Sequence, residues 1–196
     1  AMVRTGQADI IDLVPESAPE VLGAGMKLTV IEGVGMFIFQ FWGLYFDEAK
    51  DLPTTDVRVR QAMSLAINRQ DIIEFTMNGY ARPSMPFATF PTSVDVDVPR
   101  WQKWAKETLV YDPDRARELL KEAGWENGFD LTYWSTNFGG TPYMNDISQA
   151  VAGFWDEIGI NVDLKVVERG IWTPMTRKKG NTNWDQGMNG DVSIYR

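Results

Sequence analysis

Between Val57 and Met77 the apolar positions recur twice at helical spacing. Val59, Ala62, Met63, Ala66 and Ile67 make one stripe, and Ile72, Ile73, Thr76 and Met77 make a second. Each segment carries its own start signal: Asp56 suits the exposed N–H groups of a first turn, and Asn68, with Asp71 three residues on, opens a new helix. Gly79 is placed to stop the second segment in a left-handed conformation. Further along, Asp112-Pro113 is a cap followed by a first-turn proline, and Ala116, Leu119, Leu120 and Ala123 form a buried stripe that Gly124 ends. The charges between them, Arg115, Arg117, Glu118, Lys121 and Glu122, read as a solvated face.

The period changes after that helix. Asp130–Thr136 reads as a strand, and Tyr143–Ile158 as a helix with Met144, Ile147, Val151, Phe154, Trp155 and Ile158 inward. Gly159 ends it, and Ile160, Val162, Leu164 and Val166 alternate as a second strand. A strand–helix–strand unit predicts a parallel pair with a right-handed crossover. Other elements expected are a short helix at Ala18–Leu22, a strand at Lys27–Glu32, an aromatic strand at Met36–Tyr45 and a last helix near Trp172–Lys179. The aromatic strand would set Phe37, Phe39 and Phe41 on one side and Met36, Ile38, Gln40 and Trp42 on the other. Trp101 and Trp104, three apart, suit the packed face of a helix. Ala81–Pro99 is a proline-stiffened connection.

Composition narrows the function classes. The 196 residues are enough for one substantial domain, and 44% hydrophobic with 23% charged residues is a soluble composition. A net charge of −8 argues against nucleic acid and anionic membrane surfaces. With no cysteine and no histidine there is no thiolate nucleophile and no ordinary transition-metal set. Asp95 and Asp97 lack the glycine and distal glutamate of a calcium loop and read as solvated surface. No run reaches the roughly 20 apolar residues of a membrane span. Both ends look cut: Ala1–Gly6 resembles the close of a helix, and Asp191–Arg196 a strand that leads onward.

Three ordered stretches carry a resemblance: D-V-R-V-R-Q-A-M-S-L-A-I-N-R-Q-D-I-I with N-G-Y-A-R-P, then Y-D-P-D-R-A-R-E-L-L-K-E-A-G-W-E-N-G-F-D-L, then I-G-I-N-V-D-L. Together they resemble the family 5 extracellular solute-binding proteins, the dipeptide- and oligopeptide-binding type that serves ABC transporters. The resemblance implies an α/β fold: one lobe of a periplasmic-binding-protein-like fold (type II, class C), a mixed sheet flanked by helices. It implies residues 1–35 as the end of a first-lobe segment and hinge approach, 36–190 as the second lobe, and 191–196 as a truncated returning hinge strand. The expected partners are the first lobe of the same parent, an ABC permease, and a peptide, oligosaccharide or other small solute, with no cofactor. The expected location is periplasmic or extracellular, with a membrane anchor on the parent left open.

Candidate ligand residues come from the residues and from the resemblance together. Asn137, Phe138, Gly139, Gly140 and Thr141 lie between a strand's carboxyl end and a helix N-terminus, where N–H groups and the helix dipole favour anions. The plainer reading is a glycine-rich turn with Thr141 as the helix cap. The resemblance turns this loop towards the inter-lobe cleft and adds Tyr143, and it sets Arg177, beyond Trp172, where some members hold a peptide carboxylate. Phe41, Trp42 and Trp134 complete the set; the family carries asparagine near Gln40, so no polar role is assigned there. Arg58 and Arg60 point to different sides of a helix and form no clamp.

The reading is a non-enzymatic binding module, half of a cleft that closes on solute. Two alternatives stay open at this point. One is a carboxylate-based hydrolase, since acids are plentiful although no pair stands apart. The other is an interaction domain that self-associates through the face a missing lobe would cover.

Overall fold

The computed structural model describes residues 2–3, 5–30, 37–39, 41, 47, 50–83, 96–137, 141 and 143–177, with side chains omitted at 137 and 175–177. In order, the elements are α1 (Ala18–Gly23), α2 (Val57–Leu65), α3 (Arg69–Asp71), α4 (Val98–Thr108), α5 (Pro113–Glu122), β1 (Phe129–Asn137), α6 (Met144–Asp156), β2 (Ile160–Glu168) and α7 (Arg169–Arg177). Single 3₁₀ turns at Pro15–Ser17 and Pro53–Thr55 lead into α1 and α2.

The core is built around β1, α6 and β2. The two strands pair in parallel from Phe129↔Ile160 to Asn137↔Glu168, and α6 is the crossover between them. Inward residues of β1, Leu131 and Tyr133, are buried with Met144, Ile147, Val151 and Trp155 of α6. Below them, α2 and α5 bury Val59, Ala62, Met63, Ala116, Leu119 and Leu120 in the same cluster. Each fully buried aliphatic or aromatic side chain contributes about 1.5–3 kcal/mol. α2 and α5 run antiparallel: Arg58 Nη1 donates to the Glu122 carbonyl at 2.6 Å, and Asp112 N donates to the Leu65 carbonyl at 2.9 Å.

The carboxyl end of α2 is fully accounted for. A helix leaves its last four carbonyls without intrahelical partners. Here Ala62 O accepts from Ala66 N, Met63 O from the Trp155 indole, Ser64 O from Ile67 N and Arg69 Nη1, and Leu65 O from Asp112 N. One of these donors comes from 92 residues away and ties α2 to the crossover helix.

Several expectations hold in detail. The Asp56, Asn68 and Asp112 side chains accept from Arg58 N, Asp71 N and Arg115 N as caps, and Gly79 and Gly124 have φ of 76° and 85°. Arg58 is held by Asp56, and Arg60 donates to the Thr54 and Thr55 carbonyls, so neither is a clamp. Arg115 and Arg117 form exposed ion pairs with Glu118, Glu122 and Asp114. Gly6 stands at φ 68°, Gly6 N donates to the Val3 carbonyl at 3.3 Å and Gln7 N to the Met2 carbonyl at 2.9 Å, the bond pair that closes a helix on a glycine.

Other expectations are corrected. The sheet is not mixed among the described residues: it has two parallel strands. No strand includes Lys27–Val30: Leu28 is only half-buried and Val30, on the same side, is 52% exposed, so the alternating apolar positions find no surface to pack on. Phe37–Phe39 and Phe41 are in no strand either, and the rest of the expected Met36–Tyr45 strand lies outside the described residues. The second helical segment is only one α-turn before it widens into a π-turn at Ile72–Thr76. That widening lets Ile72 and Met77 both pack on the core, while Phe75 between them is 76% exposed. Trp101 and Trp104 pack edge to face on each other at 6.0 Å rather than into the core, and α4 has no buried residue. Val166 is 44% exposed, since the alternation of β2 lapses at Lys165–Val166. The last helix begins at Arg169, earlier than expected. The chain's final segment, from 178, lies outside the described residues, as do Asp95 and most of the Pro-rich connection.

Candidate functional site

Two faces of β1 receive the candidate residues. Tyr133 and Ser135 point towards α6, where both reach the Ser148 hydroxyl. Trp134 alternates to the opposite face, and the Lys165 ammonium of its register partner lies 5.3 Å from the ring centroid. That contact contributes about 0.5–1 kcal/mol at an exposed site and occupies one face of a ring expected to meet ligand.

On the α6 side, Phe41 stacks edge-on against Phe39 at 4.9 Å, and Phe39 meets Tyr133 and Trp155 at 5.2 and 4.6 Å. Tyr143, at the N-cap position of α6, meets Phe37 at 5.5 Å. Phe37, Phe39, Phe41 and Tyr143 are all half-buried against the core, so this aromatic layer closes the core and keeps an outer edge exposed.

Thr141 is buried, and its carbonyl accepts from Met144 N at 3.2 Å. The N-cap position falls to Tyr143 rather than Thr141, and the Tyr143 side chain makes no capping bond. Asn137 is the last residue of β1, paired with Glu168. Trp172 is half-buried on α7, which packs on both strands, and Arg177 is that helix's last residue. Trp42, Phe138, Gly139 and Gly140 lie outside the described residues.

The residues missed by sequence reasoning are Ser135, Ser148, Thr136 and Asn145. Ser135, Thr136 and Ser148 are buried. Thr136 Oγ1 and Asn145 Oδ1 are buried without a hydrogen-bond partner among the described residues, at the carboxyl end of β1 and in the first turn of α6. An orphaned buried acceptor or hydroxyl costs about 1–3 kcal/mol. The available signal was a polar residue, Ser148, in line with the inward Met144 and Trp155 of α6.

Other chemistry is sparse. Burial lowers the Arg69 guanidinium from its ordinary value, and the side chain donates to the Ser64 carbonyl and Ser64 Oγ. An open recess of about 320 Å³ at the amino end of β1 is lined by Leu52, Pro53, Thr54, Trp125, Phe129, Asp130 and Leu131, none of them a candidate. Among the described residues, no group of three or more acids is placed to hold a metal ion, and no helix is long and apolar enough to cross a membrane.

Comparison with known proteins accounts for this architecture. The profile of the bacterial extracellular solute-binding proteins, family 5 (middle), matches residues 1–196. The glutathione-binding protein GsiB of Pectobacterium atrosepticum is 29% identical over 184 residues, 92% of this chain and 32% of the relative. A putative ABC transporter peptide-binding protein of Brucella ovis is 33% identical over 188 residues, 93% of this chain and 32% of the relative. The chain thus spans about a third of the length of these curated relatives. The same fold occurs in the substrate-binding protein CtaP of Listeria monocytogenes (TM-score 0.73, 19% identity, 99% of this chain and 36% of that one). It also occurs in the oligopeptide-binding protein AppA of Bacillus subtilis, solved with a nonapeptide (TM-score 0.62, 19% identity, 99% and 38%). A family of transport receptors rather than catalysts sets aside the hydrolase alternative. The chain belongs to family 5 of the bacterial extracellular solute-binding proteins.

Proposed function

We propose that this chain is the second lobe of a two-lobed receptor that closes on a peptide or a similar small solute and delivers it to an ABC permease. The observation that carries the reading is the family match across residues 1–196, with glutathione- and peptide-binding proteins among the relatives. Residues 1–35 would approach the hinge, 36–190 form the lobe, and 191–196 return towards the hinge. The receptor would work in the periplasm or outside the cell, anchored or free.

Within the lobe, the solute would meet the carboxyl end of β1 and the amino end of α6. The first turn of α6 suits a solute carboxylate, because N–H groups and the helix dipole converge there. Thr136 Oγ1 and Asn145 Oδ1 support a polar occupant at this end. Tyr143, Phe41 and Trp172 would supply apolar walls, and Arg177, where the family resemblance sets a carboxylate-binding arginine, would fork onto a carboxylate. Half a cleft encloses half a solute, so tight binding needs the companion lobe.

The test is calorimetric titration of glutathione and trialanine into the full-length protein that carries this chain, and into the 196-residue chain alone. The expected result is a Kd of about 10 μM or tighter for at least one probe with the full protein, and at least about 100-fold weaker binding by the chain alone. Sub-micromolar binding by the chain alone would sink the half-cleft reading, and no binding by the full protein would sink the peptide class.

A further inference from the structure

Ser148 is buried completely in the apolar stripe of α6, and its hydroxyl has three oxygen partners. Ser148 Oγ lies 2.8 Å from the Met144 carbonyl, 2.8 Å from Ser135 Oγ and 3.2 Å from the Tyr133 hydroxyl. A serine hydroxyl has one proton and two lone pairs. The Met144 carbonyl can only accept, so the Ser148 proton goes there. Ser135 and Tyr133 must then both donate to Ser148, and every bond direction is fixed. The network joins a first-turn carbonyl of α6 to two inward side chains in the carboxyl half of β1.

We propose that Ser148 is a positioning residue for solute recognition. It touches no solute; it sets the register of the first turn of α6 against β1 and so places Tyr143 and Thr141. Apolar contacts of Met144, Ile147 and Val151 are non-directional, whereas the two bonds from Tyr133 and Ser135 to Ser148 Oγ are directed and join α6 to β1. A serine bonded back to its i−4 carbonyl also bends the helix slightly at the turn that carries Tyr143. The inference rests on the proposed binding at this end of β1.

The experiment uses the full-length receptor with glutathione and trialanine as probes. Ser148→Ala should weaken binding about five- to tenfold, the size of one lost buried hydrogen bond, and Ser135→Ala by somewhat less. Amide hydrogen exchange without solute should quicken at Met144–Ile147 and stay unchanged at Val59–Met63. Leu119→Ala, in the α5 stripe away from the network, is the control for lost stability alone and should leave affinity within about twofold. If Ser148→Ala does not fold, Ser135→Ala carries the same test.

The proposal is overturned if affinity stays within twofold in both serine variants, if Leu119→Ala weakens binding as much, or if exchange quickens uniformly. If the unsubstituted receptor binds neither probe, the binding reading fails and the recognition role of Ser148 fails with it. A local exchange change would then tell that failure apart from a network that holds nothing in place.

Discussion

The carbonyl oxygen of Gly159 occupies the space that a side chain on Gly128 would need. A Cβ on Gly128 would stand 1.7 Å from that oxygen, and Gly128 itself has φ 73°. These two glycines precede Phe129 and Ile160, the first register pair of the parallel strands, so the sheet begins with two backbones in close approach. Gly128→Ala should therefore cost about 3 kcal/mol or more, combining positive-φ strain with displacement of backbone. Gly124→Ala is the comparison: φ is 85°, yet nothing lies within 4 Å, so only the strain of about 1–2 kcal/mol applies. Urea denaturation of both variants checks the difference, and equal losses would show that the close approach is not what Gly128 is for.

Trp155 closes the end of α2 as well as filling the core. Its indole N–H donates to the Met63 carbonyl at 2.9 Å, and the side chain is fully buried. Trp155→Phe keeps an aromatic ring against Phe39 and Tyr133 but removes the donor. An acceptor left unpaired costs about 1–3 kcal/mol, and the smaller ring leaves a void worth about another 1 kcal/mol. The expected loss of about 2–4 kcal/mol can be read by denaturation of the 196-residue chain. Hydrogen exchange should quicken at Ala66 and Ile67, beyond the freed carbonyl.

How far the sequence reveals this protein depends on how local each decision is. Asp56, Asn68 and Asp112 act on N–H groups two or three residues away, so their roles are written in short stretches. The β1–α6–β2 unit is legible for the same reason: its periods change within 40 residues and glycines mark the turns. Trp101 and Trp104 share the spacing of a buried pair, but burial needs a neighbouring surface, and spacing is silent about that. The Trp155–Met63 bond spans 92 residues, beyond any local pattern. At the candidate site, Thr141 follows from the strand–helix junction and Tyr143 from the family resemblance, whereas the Ser148 network needs the register of α6 on β1. Trp134 was legible as a strand aromatic, but only the pairing with Lys165 shows what covers its face.

Asp112 is a cap whose charge and geometry can be separated. Its carboxylate accepts from Arg115 N at 2.9 Å, and Pro113 takes the first helical position, where no N–H is needed. Asp112→Ala should lower stability by about 1 kcal/mol through the lost cap. Asp112→Asn should cost only a few tenths, because asparagine caps equally well and loses only the dipole interaction. The backbone bond from Asp112 N to the Leu65 carbonyl is kept in both variants, so the α2–α5 junction is a constant. Denaturation midpoints give the comparison, and a loss in Asp112→Asn equal to that in Asp112→Ala would assign the effect to charge instead.

Acid stability should report on Asp56. The Arg58 guanidinium hydrogen-bonds its carboxylate, and the Arg58 backbone N–H adds a second bond, so the Asp56 carboxyl is held below the usual carboxylate range. A folded-state value lower than the unfolded one means that stability is gained above the unfolded value and lost as pH falls through the folded one. The site is exposed, so the effect is modest and screened by salt. Asp56→Asn keeps the cap and removes the titrating group. Its denaturation midpoint should lie below that of the unsubstituted chain near about pH 7, and the two should converge on acidification below about pH 4. Added salt near neutrality should narrow the gap as well. A gap that stays constant from neutral to acid pH would show that the Asp56–Arg58 pair contributes nothing through its charge.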